Sequence, residues 1–153
     1  MTNKTSHFRH SVLAAQRSGH RVLAEMLKPH GLTPAWAEVL TVLLEQGPLS
    51  IRELSQFLIC EADHPSRLIS RIEKQGLISR AQNPNDKRAV LLSLTEDGQR
   101  AAKQALQAES RLDAWIHQQL SDQEILGLTR SLDRILRNST EGRSLRMRFE
   151  NHD

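Results

Sequence analysis

At 153 residues and 17.4 kDa, the chain suits one domain of ordinary size and leaves little room for a second independent core. Charged residues make up 25%, mean hydropathy is −0.50, and no apolar run approaches the roughly 20 residues that span a bilayer, which excludes a membrane-embedded protein. Formal net charge is +3 and Cys60 is the single cysteine, so neither an intrachain disulfide nor a multi-thiolate zinc site is available, and stability must come from packing.

Residues 1–10 hold no apolar leader and no small-residue cleavage site, so a cytoplasmic location is expected. A first helix is expected from about Ser6 to Lys28, with Leu13, Gln16, His20, Leu23 and Leu27 at helical spacing and Pro29-His30-Gly31 as its stop. Thr33 caps a second helix, Pro34 suits its first position, Trp36, Val39, Leu40 and Leu43 share a face, and Gly47-Pro48 ends it near Gln46. Ser50-Ile51-Arg52-Glu53 is a capping box for a short third helix that turns Leu54, Phe57 and Leu58 inward. A fourth helix follows over 63–75, with Pro65 in its first turn and Gly76 at its end; Leu68, Ile69 and Ile72 form the buried stripe.

Residues 77–81 and 89–94 then read as two strands, joined by the turn-rich loop 82–88. Thr95 caps a long helix to about Leu120, with Ala105, Leu112, Trp115 and Ile116 on a sparse apolar face. Ser121-Asp-Gln-Glu124 opens a last helix that turns Ile125, Leu128, Leu132, Ile135 and Leu136 inward. The tail 138–153 is polar, and without a partner it is expected to be partly disordered.

Charge is unevenly placed. Between His64 and Val90, six cations (Arg67, Arg71, Lys74, Arg80, Lys87, Arg88) accompany two anions (Glu73, Asp86), whereas the remaining chain is close to neutral. A neutral scaffold with one basic segment is the footprint of a nucleic-acid reader. Aromatics make up only 3%, too few for the stacking platforms of single-strand binders, so duplex DNA is the partner that fits. No Gly-rich phosphate loop, nucleophile elbow or closely spaced carboxylate pair appears, so neither an enzyme nor a bound cofactor is expected.

The fold class expected is mainly α with a small β-hairpin (α+β): a helix-turn-helix followed by a two-stranded wing, flanked by helices. Within it, Leu54-Ser-Gln-Phe-Leu58, Arg67-Leu-Ile-Ser-Arg-Ile-Glu-Lys-Gln-Gly-Leu-Ile78, Arg80, and above all Asn83-Pro-Asn-Asp-Lys-Arg-Ala89 through Leu94-Thr-Glu-Asp-Gly98 resemble the multiple antibiotic resistance regulator (MarR) family of bacterial winged-helix transcription factors. The resemblance covers roughly residues 6 to 137. It implies one MarR-like domain over 1–153, with a DNA-binding lobe at 33–95, a helical dimerisation region at 6–32 and 96–137, and the polar tail at 138–153. Two copies would intertwine their terminal helices and read a pseudo-palindrome, associating with the nucleoid through that DNA. The terminal helices support this independently, because in so short a chain their apolar stripes find little else to cover them.

By the same resemblance, the helix 63–75 lies in the major groove, with His64, Ser66, Arg67, Ser70, Arg71 and Lys74 facing DNA together with Arg80. Arg67 and Arg71, four apart, are forks suited to guanine O6 and N7. Arg88 would reach the minor groove, Asp86 would hold Arg88, and Lys87 would meet the backbone. Ile59 departs from the glycine the family often has in the turn. The default mode implied is repression relieved by a small, often phenolic, anion, with His20, His30 and Trp36 bordering the effector cavity; ordinary packing is the competing account of those three. Two alternatives keep the fold but change the signal. Cys60 would make a redox sensor, although its place after an apolar helix suits a small core thiol. His7 and His10, with His20, His30 and His117 from a dimer, would make a metal sensor, although no HExxH pattern accompanies them. A third alternative is a winged helix used only for protein contacts, which would lack salt-dependent binding to random duplex.

Overall fold

A computed structural model describes residues 3–60 and 64–150. Its elements are α1 (Lys4–Leu27), a 3-10 turn (Lys28–His30), α2 (Pro34–Gln46), α3 (Ile51–Phe57), α4 (Pro65–Lys74), β1 (Ile78–Asn83), β2 (Asp86–Leu94), α5 (Glu96–Gln119), α6 (Asp122–Leu136) and α7 (Thr140–Phe149). Except at α4, the α-helix starts lie where a side chain accepts from the free amides of the first turn. The Thr33 hydroxyl accepts from the Trp36 amide with Pro34 just inside α2, and full capping boxes pair Ser50 with Glu53 and Ser121 with Glu124.

The core gathers around α2, which is buried along most of its length and packs on α5. Leu27 from the end of α1, Leu40, Leu54 from α3, Ile69 and Ile72 from α4, and Leu92 from β2 are wholly buried there. β1 and β2 pair antiparallel from Ile78↔Leu94 to Gln82↔Val90, slip by a bulge between Gln82 and Asn83, and close at Asn83↔Asp86. The expected loop 82–88 is therefore mostly strand with a tight turn at Pro84-Asn85. Both faces of this outer stretch are wet, so pairing continues through polar residues that carry no alternating apolar signal. Leu49, between α2 and α3, adds a two-bond bridge to Leu92 (Leu49 N to Leu92 O 3.2 Å, Leu92 N to Leu49 O 2.7 Å).

Two expectations change at the C-terminal end. Of the tail 138–153, the described part is not a loose segment: Ser139 caps α7, which runs through residue 149 and packs on α3. α6 is consequently not the last helix, and within one chain it does not turn its apolar residues inward. None of its residues is buried; Leu128 stays 50% and Ile135 64% exposed. No helix among the described residues is long and apolar enough to cross a membrane.

Candidate nucleic-acid interface

The basic face is built on α4 and the wing. Pro65 occupies the first position of α4, where its missing N–H costs nothing, and the His64 carbonyl takes the Arg67 and Leu68 amides at 3.0 and 3.2 Å. Asp63, expected as the first residue of this helix, lies outside the described residues. Ile69 and Ile72 are buried beneath α4, while His64, Ser66, Arg67, Arg71 and Lys74 are exposed. Ser70 departs from that group: its hydroxyl folds back onto the Ser66 carbonyl at 2.8 Å and it is half-buried. The far end of α4 is fastened to α5. Thr95 Oγ1 donates to the Gly76 carbonyl at 2.6 Å and accepts the Gly98 amide at 3.0 Å. Gly98 lies so close to the Leu77 carbonyl that a Cβ there would fall far inside van der Waals contact. That contact explains why Leu-Thr-x-x-Gly follows the wing: the threonine joins two helix ends and only glycine fits beside them.

Arg80 Nε meets Glu73 Oε2 at 2.8 Å, tying the first strand to α4. As a surface pair it contributes at most about 1 kcal/mol, but it directs the Arg80 side chain toward the α4 face. At the wing tip the Asn85 amide donates to Asn83 Oδ1 at 2.9 Å, and Gln82 Nε2 donates to the Lys87 carbonyl at 2.8 Å. Asp86 Oδ1 accepts the backbone amide of Arg88 at 3.0 Å. The expected Asp86 hold on Arg88 is therefore made through the main chain rather than the guanidinium; the carboxylate braces the turn. Lys87 and Arg88 are exposed.

The residues considered for an effector or metal are not brought together in the same way. His20 and His30 are exposed and Trp36 is half-buried, each on a different element. Two open depressions lie elsewhere: one of about 600 Å³ lined by Arg21, Val22, Glu25 and Met26, the other of about 550 Å³ lined by Arg130, Asp133, Arg134, Arg137 and Arg146. His10 Nδ1 is engaged with the Ser6 carbonyl at 2.8 Å and His117 Nδ1 lies 3.5 Å from Asp122. Among the described residues no three His, Cys, Asp or Glu side chains converge as a metal site would require. Burial, and next the charge of the neighbouring Glu38, push the Cys60 thiol up to about 12, so it stays protonated at neutral pH, the opposite of a thiolate sensor.

Glu38 itself escaped the sequence reading. It is buried on α2, and its two oxygens accept the Ile59 amide at 2.7 Å and the Cys60 amide at 2.8 Å, in the chain that leaves α3 for α4. Arg148 of α7 reaches the same carboxylate, Nη1 to Oε1 at 3.1 Å. A signal for its burial was available: unlike Glu45 near the exposed end of α2, Glu38 sits within the apolar run of that helix, and a carboxylate buried there must be partnered.

Comparison with known proteins identifies the arrangement. The model of the MarR family matches residues 32–90. The HTH-type transcriptional regulator BilQ of Clostridioides difficile (strain CD3) is 32% identical over 106 residues, spanning 69% of this chain and 72% of that one. Among solved structures, a mutant MarR from E. coli complexed with operator DNA superposes with a TM-score of 0.77 at 26% identity, covering 89% of this chain and 98% of that one. The organohalide-sensing RdhR transcriptional regulator in its 2,4-dichlorophenol-bound form gives a TM-score of 0.78, covering 91% and 83%; at 21% identity this likeness concerns the fold alone.

Proposed function

Because the chain belongs to the MarR family of winged helix-turn-helix transcriptional regulators, which are not enzymes, we propose that it works as a homodimer reading a pseudo-palindromic duplex. Each protomer places α4 in the major groove and its wing, residues 82–88, at the flanking minor groove. The observation that carries this reading is that Arg67, Arg71 and Lys74 on α4 and Lys87 and Arg88 at the tip of the adjoining hairpin are all exposed, with Arg80 of β1 tied to Glu73 of α4. Arg67 and Arg71 read bases, Ser66, His64, Lys74 and Arg80 meet phosphates, and Arg88 enters a narrow groove where negative potential concentrates. Ser70, turned back onto its own helix, and Asp86, turned onto the Arg88 amide, act on the shape of the site.

Dimer formation is supported by apolar side chains that one chain leaves in water, among them Phe8, Leu13, Trp115, Leu128 and Ile135. Repression relieved by a small phenolic anion is the mode adopted from the family, with His20, His30 and Trp36 bordering the effector site once the dimer closes; RdhR, which shares the fold, is itself a regulator solved with 2,4-dichlorophenol bound. The test is titration of duplex DNA at several salt concentrations. If each protomer meets about four phosphates, the log–log slope for the dimer is on the order of −7. A slope near zero on every duplex would leave a protein-contact module as the reading.

A further inference from the structure

We infer that Arg148 and Glu38 are positioning residues for DNA reading: through their ion pair, α7 fixes the point from which the recognition helix departs. The inference rests on the reading that α4 is that helix.

Three observations join here. First, the chain leaving α3 is extended at Leu58, so the next two amides have no helical acceptor, and both are taken by one side chain, Glu38, at 2.7 and 2.8 Å. Only four residues separate Cys60 from Pro65, a span of at most about 18 Å between their Cα atoms. Where the Cys60 amide is held therefore limits where α4 can begin. Second, the carboxylate is held from the far end of the chain. Arg148 Nη1 lies 3.1 Å from Glu38 Oε1, and side-chain exposures of 15% and 7% place the pair out of bulk water. Third, α7 is built to deliver that arginine. Ser139 accepts the Gly142 amide at 2.9 Å and donates to the Leu136 carbonyl at 2.8 Å. A Cβ on Gly142 would collide with that same Leu136 carbonyl, so the α6–α7 corner is as tightly made as the corner at Gly98.

The pair is poorly arranged for stability alone. Arg148 Nε is buried without an acceptor among the described residues, which leaves part of the guanidinium's desolvation uncompensated. Buried ion pairs of this kind contribute little net stability, and their best-attested use is to select one geometry among several. The geometry selected is the one joining α2, the end of α3 and α7 at the threshold of α4. Removing the guanidinium leaves a buried carboxylate that no longer has a cation to fix its orientation, and the turn it holds is free to shift.

The experiment uses the full-length chain and two probes: a duplex enriched by the wild-type protein from a random-sequence pool, and unselected random duplex of equal length. Arg148→Gln and Glu38→Gln, the latter turning an amide donor toward a backbone N–H, are expected to weaken the enriched duplex by about 10-fold, the scale of coupling seen for residues that touch no ligand. Random duplex should change by less than about twofold, with the salt slope kept, because no phosphate contact is lost. Arg148→Lys keeps the charge without the fork and should recover most of the loss. It also serves if Arg148→Gln does not fold: Arg148→Lys should then bind the enriched duplex more weakly than wild type by a few-fold. A fall in thermal stability with the enriched-to-random ratio unchanged would make the pair a purely structural tie and overturn the inference, as would full activity of both glutamine variants. Wild-type protein that enriches no duplex would instead overturn the DNA-reading function beneath it.

Discussion

The winged lobe and the terminal helices solve the same problem differently. The lobe closes over its own apolar side chains: Leu40, Leu54, Ile69, Ile72 and Leu92 come from four elements and none touches water. α1 buries one residue of its 24, Leu27 at the junction with the lobe, and α6 buries none of its 15. Fully burying one such side chain is worth roughly 1.5–3 kcal/mol, so the terminal helices forgo a stabilisation that the lobe has already collected. A lobe whose core is complete within one chain is thus carried on helices that leave their apolar stripes uncovered in that chain, as the proposed dimer requires.

Paired substitutions test that division most strongly. Leu40→Ala removes a wholly buried side chain and should cost about 2–5 kcal/mol, read as a lower thermal midpoint. Ile135→Ala, at a site 64% exposed in one chain, should act instead as a concentration-dependent loss of dimer. Placing charge there sharpens the contrast: Leu128→Glu with Ile135→Glu should move the sedimenting mass at micromolar concentration from twice 17.4 kDa to 17.4 kDa while helicity is retained. A wild-type protein that sediments at 17.4 kDa would break the comparison, since the exposed stripes would then need another explanation.

Next in size come changes to the reading head. Arg67→Ala or Arg71→Ala should cost roughly 1–3 kcal/mol at one base pair and little on random DNA, whereas Lys74→Ala should weaken all sequences alike. Arg88→Ala should erase a preference for A·T-rich flanks. Because Asp86 braces the Arg88 amide rather than its guanidinium, Asp86→Ala should give a milder form of the same defect, and tighter binding by that variant would show that charge repulsion outweighs bracing. Dimer mass should be unchanged in all of them.

The smallest effect expected is at Glu109 on α5. Burial raises its carboxyl above the ordinary value, while Arg148 opposes the shift. A raised folded-state value means that the ionised form costs stability above the titration range and that the cost disappears as pH falls below it. Glu109→Gln should therefore raise the thermal midpoint slightly at pH 7, with the gain vanishing below the carboxylate range; a gain that grows on acidification would reverse the sign.

What was legible in the sequence follows what carried a local signal. Thr33-Pro34, Ser50 with Glu53, Ser121 with Glu124, and the glycine after α4 each mark a chain event with nearby residues, and the structure begins or ends a helix at each. α7 left no such trace of periodicity: its buried residues are Gly142 and Ser144, not an apolar stripe, so only the Ser139 cap announced it. The α4 face was visible because its buried stripe was apolar and its outer residues were arginine and serine. The partners of Glu38 were not, because they lie 21, 22 and 110 residues away and no spacing rule reaches that far.

The bridge between Leu49 and Leu92 makes the wing a cantilever. At Leu92, β2 is bonded on both sides, to β1 and to the segment before α3, so that end of the hairpin moves with the lobe. Arg88 lies four residues further out, about 13 Å along the strand, where among the described residues the hairpin's own bonds support it. Deflection at the free end grows with the length of the arm, so small angular fluctuations at the clamp become ångström-scale excursions of the arginine. Backbone protection from hydrogen exchange should fall steadily from Leu92 toward residue 88, and clamping the tip on a duplex should flatten that gradient from its outer end inward.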